Sequence, residues 1–319
     1  MRRFVGPVLL GVGVFLVVLA GLLKFFVADR VIVTPIDQYA QTTSPGPGSY
    51  LDPAALQVRS ADLVAVRTLK GDVAASDKDT AVWDVSVVLS TGDGQLVQAT
   101  IDRVATDRRT AEAVNCCGEA VNSVPARHSG LSYKFPFDTQ KQDYQFWDPN
   151  AKKAVPARYV SEETVQGLTT YKFVSQVPAT QIQTQEVPGS LVGQSAPSVQ
   201  APVYYDDTRT VWVEPKTGVI VKGSEQNLTT LRDSAGQDKT VVLKFDLTFN
   251  EDTQRSQAQL ARDNIGKIDL VTTWLPLIGL LVGIVLIIAG LIIMVSADRA
   301  AARRTEHPEH PEPAGTPSG

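Results

Sequence analysis

The sequence predicts a mainly β domain of the α+β class, built from antiparallel sheets and hairpins and bracketed by N- and C-terminal transmembrane helices. Two long apolar runs, Phe4 to Leu23 and Leu275 to Val295, predict the helices. Between them, segments rich in valine, threonine and aromatic residues are separated by turn signals, which is typical of antiparallel strands. We therefore expect a β-rich domain held between two membrane anchors.

The first apolar run is expected to form transmembrane helix 1 over residues 4–27, after a cytoplasmic N-terminus of residues 1–3. About 20 apolar residues span a bilayer, and Lys24 near the far end can reach the headgroups. The run is longer than the core of a signal peptide, and no A-x-A cleavage pattern follows it. It is therefore interpreted as an uncleaved anchor.

The second run predicts transmembrane helix 2 over residues 274–296, followed by a disordered, proline-rich cytoplasmic tail of residues 297–319. Basic residues flank the outer end of each span, and they are Arg2, Arg3, Arg299, Arg303 and Arg304. The positive-inside rule then places both termini in the cytoplasm. Residues 28–252 become the extracytoplasmic domain of a two-pass protein of the plasma (inner) membrane.

Helix 2 carries a G-x-x-x-G pattern at Gly279 and Gly283, which lets another helix approach closely. We expect these glycines to pack against the first span, although glycines are also tolerated in membrane helices without such a role. An amphipathic juxtamembrane helix is predicted over residues 253–273, with Asp252 as its N-cap. It would lead directly into the second span.

Within the β domain, the Gly92-Asp93-Gly94 turn is a clear hairpin signal. From Val241 to Phe249, apolar residues alternate with mostly polar ones, which predicts a strand with one buried face. Three segments are predicted not to form strands. They are a flexible loop at Thr42 to Tyr50, a short helix at Asp107 to Val114, and a long mobile loop at Glu186 to Pro202.

The two cysteines, Cys116 and Cys117, are adjacent and cannot connect distant loops to each other. They can close into a vicinal disulfide or remain two small, partly buried residues. A redox switch and an intermolecular bridge stay open as alternatives. The spacing is not C-x-x-C, so thioredoxin-like chemistry is not predicted.

Two stretches share a pattern in which Asp-Thr precedes a strand that ends in tryptophan, an acid and proline. Each is interpreted as a strand–turn–strand unit with a tryptophan packed on the sheet. Whether they are a true internal repeat is left open. Their candidate ligand-binding or structural residues are Asp138, Trp147 and Asp148 in the first stretch, and Asp207, Trp212 and Glu214 in the second.

The same stretches, FPFDTQKQDYQFWDP, GLTTYKF and YDDTRTVWVEPKTGVIVKG, resemble an actinobacterial family of two-span envelope proteins of unknown function, often labelled the porin PorA family. The resemblance implies a role in the cell envelope, in lipoglycan assembly, and it supplies no catalytic residues. A β-barrel pore is not expected, because the strand segments look short and irregularly spaced and carry charges on the face that would meet lipid.

No catalytic constellation, cofactor motif or metal motif is found in the sequence. The net charge is −4, with lysine and arginine scattered, so a nucleic-acid partner is not predicted. His128 is the sole histidine of the predicted ectodomain and is expected at the surface or in a capping role. Neither a phosphate loop nor a dinucleotide fingerprint is present.

The leading functional hypothesis is a non-enzymatic envelope protein whose ectodomain binds or passes a lipid or a lipid-linked glycan, assisting lipoglycan or envelope assembly. It requires a groove or cavity lined by the alternating strands. A first alternative is a glycan- or lipid-processing enzyme, which requires acids among Asp138, Asp148, Asp206 and Glu214 to converge in one pocket. A second is a porin-like channel or a scaffold for envelope-assembly membrane proteins.

Overall fold

The computed structural model describes residues 2–305 and divides into two compact units. Among these residues, a helical unit contains the chain up to Ile32 and from Gly266 to Thr305, and a β unit contains Val33–Ile265. Of the predicted disordered tail of residues 297–319, residues 297–305 are helical, and the part from residue 306 onward lies outside the described residues. The helices are α1 (Arg2–Leu22), α2 (Ala28–Val31), α3 (Glu251–Asp269) and α4 (Leu275–Thr305), with π-helical turns at Leu23–Val27 and Leu270–Trp274.

Two of the helical segments are long and apolar enough to cross a membrane. The first segment covers Phe4–Val27 and has a mean hydropathy of 2.6. The second lies within Glu251–Ala297, where the mean hydropathy is 3.2. Their side chains are largely exposed, as expected for helices whose apolar surface meets lipid rather than a protein core. The helical unit thus has the composition of a membrane anchor.

Helices α1 and α4 pack through glycines that recur every seven residues, Gly6 and Gly13 on α1 and Gly283 and Gly290 on α4. A methyl group added at Gly283 would lie 2.8 Å from the carbonyl oxygen of Gly13, and one at Gly290 would lie 2.8 Å from that of Gly6. The two backbones are therefore close enough that a side chain larger than hydrogen does not fit.

The other glycines of the two helices are packed less closely. A methyl group at Gly279 would lie 3.5 Å from the Ala20 Cβ, which is an ordinary contact, and added groups at Gly11 and Gly21 meet nothing within 4 Å. The close-packed positions are thus Gly283 and Gly290 rather than the full G-x-x-x-G pair.

Replacing Gly283 by leucine is expected to separate α1 from α4, because the new side chain overlaps the Gly13 backbone. The expected loss is about 1–3 kcal/mol, typical of overpacking. The midpoint of thermal aggregation of the full chain in mild detergent measures the effect. Gly11→Leu is the matched control, since its site is open, and an equal loss in both variants would contradict the proposed contact.

The β unit is one antiparallel sheet of twelve strands in the order β6-β5-β4-β3-β2-β1-β12-β11-β10-β9-β8-β7. The strands are β1 (Tyr39–Asp52), β2 (Gln57–Gly71), β3 (Thr80–Thr91), β4 (Leu96–Asp107), β5 (Ala120–Val121), β6 (Val124–Pro125), β7 (Tyr144–Asp148), β8 (Lys153–Val165), β9 (Leu168–Val187), β10 (Val199–Glu214), β11 (Val219–Arg232) and β12 (Asp238–Thr248). Several are longer than the sequence pattern predicted, and β9 has 20 residues.

The chain builds this sheet as two meanders. The first six strands run from the middle of the sheet to one edge, and the last six run from the other edge back to the middle. The first and last strands meet there, with Gly48 opposite Phe245 and Tyr50 opposite Leu243. The order of strands thus follows the sequence everywhere except at the β1–β12 junction.

The sheet is curved into a half-barrel, and its two sides are connected where the segment after β4 pairs with the segment between β6 and β7, through a bridge of Glu112 with Leu131. On one side, Ala113 forms a bridge with Thr106 of β4, and on the other, Leu131 forms a bridge with Phe146 of β7. Leu131 donates its N–H to the Gln145 carbonyl at 2.7 Å and accepts from the Trp147 N–H at 2.8 Å. The Leu131 backbone thereby covers part of the β7 edge of the sheet.

The largest aromatic cluster lies beside this connection. The Phe135 ring is fully buried and stacks on Phe146 at 5.6 Å and on Phe173 at 4.7 Å between ring centroids. Aromatic pairs of this kind contribute more than their buried area alone.

Two of the predicted non-strand segments were wrong, and the third was correct only in its central part. The Pro/Gly stretch at Thr42 to Tyr50 is part of β1, where Gly46 allows close approach to the Asp246 carbonyl of β12. Residues 107–114 form a turn and a bridge, not a helix. The predicted loop at Glu186 to Pro202 is shorter than expected, because its ends belong to β9 and β10 and only residues 188–198 connect the two strands. A 3₁₀ turn at Gly189–Val192 in this connection buries Leu191 and Val192 against Leu231.

The predicted cap of α3 was also wrong. The Thr253 N–H donates to the Asn250 side-chain oxygen at 2.9 Å, so Asn250 is the N-cap and Asp252 lies inside the first turn. An asparagine at this position satisfies one of the free N–H groups of the helix start. The buried face of α3 centres on Ala258 and Ala261 and packs beside Trp212.

Candidate cavity site

The concave side of the half-barrel encloses a cavity of about 450 Å³. Its lining follows the alternation of the strands. On β3, Val85, Val87 and Leu89 line the cavity, whereas Val88 between them is exposed on the outer face. Successive side chains of a strand point to opposite faces, so alternate residues of β3 line the cavity.

The cavity wall is mixed in character. Its apolar part includes Val203 and Val211 of β10 and Leu243, Phe245 and Leu247 of β12. Its polar and charged part is contributed by β1, β2, β4, β7, β10 and β11 together with the β6–β7 segment, and includes Thr42, Arg67, Asp102, Tyr133, Trp147, Arg209 and Glu225. The wall can therefore contact an apolar chain and a charged group in one molecule.

Arg209 is the centre of the charged cluster. Its guanidinium lies 3.2 Å from Glu225, 3.4 Å from Asp148 and 3.7 Å from Asp207. The Tyr205 hydroxyl adds a 3.0 Å hydrogen bond to Asp148. Buried charges need such partners to offset the loss of hydration.

The environment moves the pKa values of two of these carboxyl groups, Asp207 and Glu225, in opposite directions. Burial and the neighbouring Glu225 charge raise the pKa of Asp207 well above its ordinary value, which favours the protonated form. Burial opposes ionisation of Glu225 as well, but attraction to Arg209 and Arg67 outweighs it and lowers the pKa of Glu225. Asp207 can thus supply a proton to a hydrogen bond with ionised Glu225.

A second cluster contains His128, Asp102 and Tyr133. The His128 Nε2 lies 2.7 Å from Asp102, and the Tyr133 hydroxyl donates to the same carboxylate at 2.6 Å. The prediction of a surface or capping role for His128 was wrong, because the residue is 2% exposed. Its ring packs on Trp147 with centroids 4.4 Å apart.

The structure brings only part of the predicted motif residues to the cavity. Trp147 lines it, and Asp148 and Asp207 belong to the Arg209 cluster. The others lie elsewhere. Glu214 accepts the Lys216 and Thr217 N–H groups and stabilises its own turn. Trp212 donates its ring N–H to Glu163 at 2.6 Å.

Asp138 has a local backbone role, since it adopts a positive φ of 54° in the turn before β7. The enzyme alternative required acids of the predicted set to converge. Asp148 instead converges with Asp207 and Glu225, which that set did not contain, and all three face Arg209.

Sequence reasoning missed Arg67, Asp102, Tyr133, Arg209 and Glu225. Four of them are charged residues within strands: Arg209 lies inside the YDDTRTVWVEP stretch but was not selected there, and no motif surrounds the other three. Arg67 could have been found from the alternation of β2, because it occupies the same face of the strand as the apolar residues Leu63, Ala65 and Leu69.

Cys116 and Cys117 form a vicinal disulfide, one of the alternatives that the sequence left open. Both backbone N–H groups donate to the Glu119 carboxylate, at 2.8 and 3.0 Å. Since the sulfurs are bonded to each other, they are not thiolate ligands for a metal ion.

Lys134 is a buried lysine outside the cavity wall. Its ammonium group donates to the Phe135 carbonyl at 2.9 Å and lies 3.9 Å from the centre of the Phe137 ring. Burial lowers the pKa of Lys134 from 10.5 to about 7.

This lysine predicts a pH-dependent stability. Between pH 7 and 10 the unfolded chain keeps the lysine proton and the folded chain releases it, so stability rises with pH in this window. We expect a gain of about 3 kcal/mol from pH 7 to 9.5 in the wild type, absent in Lys134→Met. Chemical denaturation of the full chain in detergent, followed by tryptophan fluorescence, measures it. An equal pH slope in both proteins would contradict the assignment.

The fold and the cavity together define a protein with two apolar helices long enough to cross a membrane and a cavity-bearing antiparallel β domain. The chain belongs to the family described as Porin PorA, whose model matches residues 5–292. Family and helices together identify an envelope membrane protein.

Two relatives carry the same name at low identity. The chain is 24% identical to Porin PorA of Corynebacterium resistens, over 94% of this chain and 98% of the relative. It is 25% identical to Porin PorA of Corynebacterium amycolatum, over 91% of this chain and 98% of the relative. The similarity therefore extends over both helices and the β domain.

Proposed function

We propose that the β domain is a non-enzymatic binding site for the apolar part of a lipid or lipid-linked glycan, and that the protein serves envelope assembly with other membrane proteins. The observation that carries the proposal is the mixed cavity of about 450 Å³ inside the sheet. Sites for small molecules are typically about 300–1,000 Å³ and mainly apolar with a few polar groups.

The proposal includes a two-pass topology in the plasma (inner) membrane. Both termini are cytoplasmic and the β domain is extracytoplasmic, which the basic residues outside each span support. The vicinal disulfide is consistent with an oxidising compartment. A domain on that side of the membrane has access to lipids of the outer leaflet.

A channel function, suggested by the family name, is the second candidate. A barrel that crosses a membrane with its strands needs apolar side chains on its outer face. The outer face here carries Lys222 of β11 and Lys244 and Asp246 of β12, which alternate with cavity residues. Any passage of a ligand is therefore proposed to run through the cavity of a membrane-anchored domain and not through a transmembrane barrel.

Binding is favoured over catalysis because the clustered acids are engaged with one another. Asp148 and Glu225 are held by Arg209, and Asp207 lies against both the arginine and Glu225. General acid–base work needs a carboxyl group free to meet the substrate.

The cavity is tested by photo-crosslinking. The full chain in nanodiscs is exposed to palmityl alcohol that bears a diazirine, and crosslinked peptides are mapped by mass spectrometry. We expect labelling of peptides from β3, β10 and β12. Val87→Trp fills the cavity and should reduce this labelling about tenfold, equivalent to ~1.4 kcal/mol.

Val88→Trp is the matched control, because Val88 is the next residue on β3 and is exposed on the outer face. It should label like the wild type. Absence of cavity labelling in the wild type, or an equal decrease in both variants, would contradict the proposed function.

A further inference from the structure

We propose that the ligand of the cavity carries an anionic head group, a carboxylate or a phosphate at the end of an acyl chain, and that Arg67 binds it. The inference rests on the proposed function and adds the chemical class of the ligand. It begins from the contrast between the two arginines that line the cavity, Arg67 and Arg209.

Arg209 has its full set of partners, whereas Arg67 does not. Glu225, Asp148 and Asp207 surround Arg209. Within residues 2–305 no carboxylate pairs with Arg67 at ion-pair distance, and Glu225 acts on it only at longer range. The Arg67 Nε is enclosed and has no hydrogen-bond partner among the described residues.

The surroundings of Arg67 hold its guanidinium at the cavity. In the sheet register it lies between Thr42 of β1 and Val87 of β3, and both also line the cavity. The Tyr133 ring lies 5.6 Å from its guanidinium carbon and provides a cation–π contact. Burial and the neighbouring Arg209 charge lower the pKa of Arg67.

An unpaired buried donor costs free energy, and an anion removes that cost. The guanidinium group offers several N–H donors in a planar fork, which matches the oxygens of a carboxylate or phosphate. Glu225 does not fill this role, since its oxygens already bond to Arg209. The Arg67 side of the cavity is thus an anion site that a ligand completes.

The remainder of the ligand is an apolar chain. Val85 and Leu89 lie on the cavity side of β3, and Phe245 and Leu247 on that of β12. An inorganic anion would leave these surfaces in contact with water, and a neutral hydrocarbon would leave Arg67 unpaired. An amphiphile with one charged end satisfies both parts of the wall.

The test compares three diazirine-bearing probes that share one chain: palmitate, palmityl phosphate and the uncharged palmityl alcohol. The full chain in nanodiscs is labelled and the cavity peptides are quantified. In the wild type we expect at least one anionic probe to label about tenfold more than the alcohol. The stronger anionic probe then distinguishes a carboxylate from a phosphate head group.

Arg67→Met should abolish this preference and keep the labelling by the alcohol, which also reports that the variant folds. Arg67→Lys should retain part of the preference, because the charge remains without the planar fork. Lys244→Met, on the outer face of β12, is the matched control for loss of one positive charge. It should label like the wild type.

Two outcomes separate the anion site from the cavity itself. If all three probes label the cavity equally, or if Arg67→Met keeps the anion preference, the anion site is overturned and the proposed function stands. If no probe labels the cavity in the wild type, the proposed function fails together with this inference.

Discussion

Replacing Arg209 by methionine is expected to cost about 3–5 kcal/mol of folding stability. The substitution removes the shared partner of Glu225, Asp148 and Asp207, and leaves buried carboxyl groups without a counter-charge. Glu225 should then bind a proton more readily, because attraction to Arg209 is the main effect that lowers its pKa. Denaturation of the full chain in detergent, followed by tryptophan fluorescence, measures the loss.

A compensating variant sharpens this prediction. Arg209→Met combined with Glu225→Gln and Asp148→Asn should regain most of the stability, since it removes the uncompensated charges and keeps the shape of the site. Lys141→Met is the control, because Lys141 pairs with Glu162 where both side chains are about half exposed. It should cost less than about 1 kcal/mol. A similar cost for Lys141→Met and Arg209→Met would contradict the central role of Arg209.

The second large effect is expected at Gly130, next to the bridge that joins the sheet edges. Gly130 has a φ of +68°, and a methyl group there would lie 2.4 Å from the Gln145 carbonyl oxygen. Gly130→Ala therefore combines backbone strain with overlap, at a cost of about 2–5 kcal/mol. We expect a lower unfolding midpoint and weaker labelling of the cavity, because the Leu131 bridge to Phe146 is displaced.

Gly94→Ala isolates the strain from the overlap. Gly94 also has a positive φ, +91°, but an added methyl group meets nothing within 4 Å. Its cost should be limited to about 1–2 kcal/mol, the penalty for the left-handed backbone. Equal effects at both glycines would show that the edge connection adds nothing to stability.

The β class of the domain and the two apolar helices could be predicted because they depend on local patterns. The alternation from Val241 to Phe249 does form a strand, and the Gly92-Asp93-Gly94 turn does connect two strands. The prediction of a loop at Thr42 to Tyr50 failed because pairing with the neighbouring strands makes this Pro/Gly stretch extended, against the preferences of its own residues.

The site was less accessible to sequence reasoning for the same reason. Asp148 and Arg209 are far apart in the chain and become neighbours through the curvature of the sheet. The buried state of His128 depends on Asp102 and Trp147, which belong to different strands. Glu214 was chosen for its motif, but its bonds stay within its own turn. Pairings across a sheet cannot be deduced from spacing in one sequence.

The junction of β1 and β12 has a consequence for how the domain folds. All other pairs of neighbouring strands in the sheet are consecutive in sequence, so each meander can form from contacts that are close along the chain. Joining Tyr50 to Leu243 closes a loop that contains almost the whole domain. The slow step of folding is therefore expected at this junction, after both meanders have formed. A circularly permuted chain that links β12 directly to β1 would make the junction local and should fold faster.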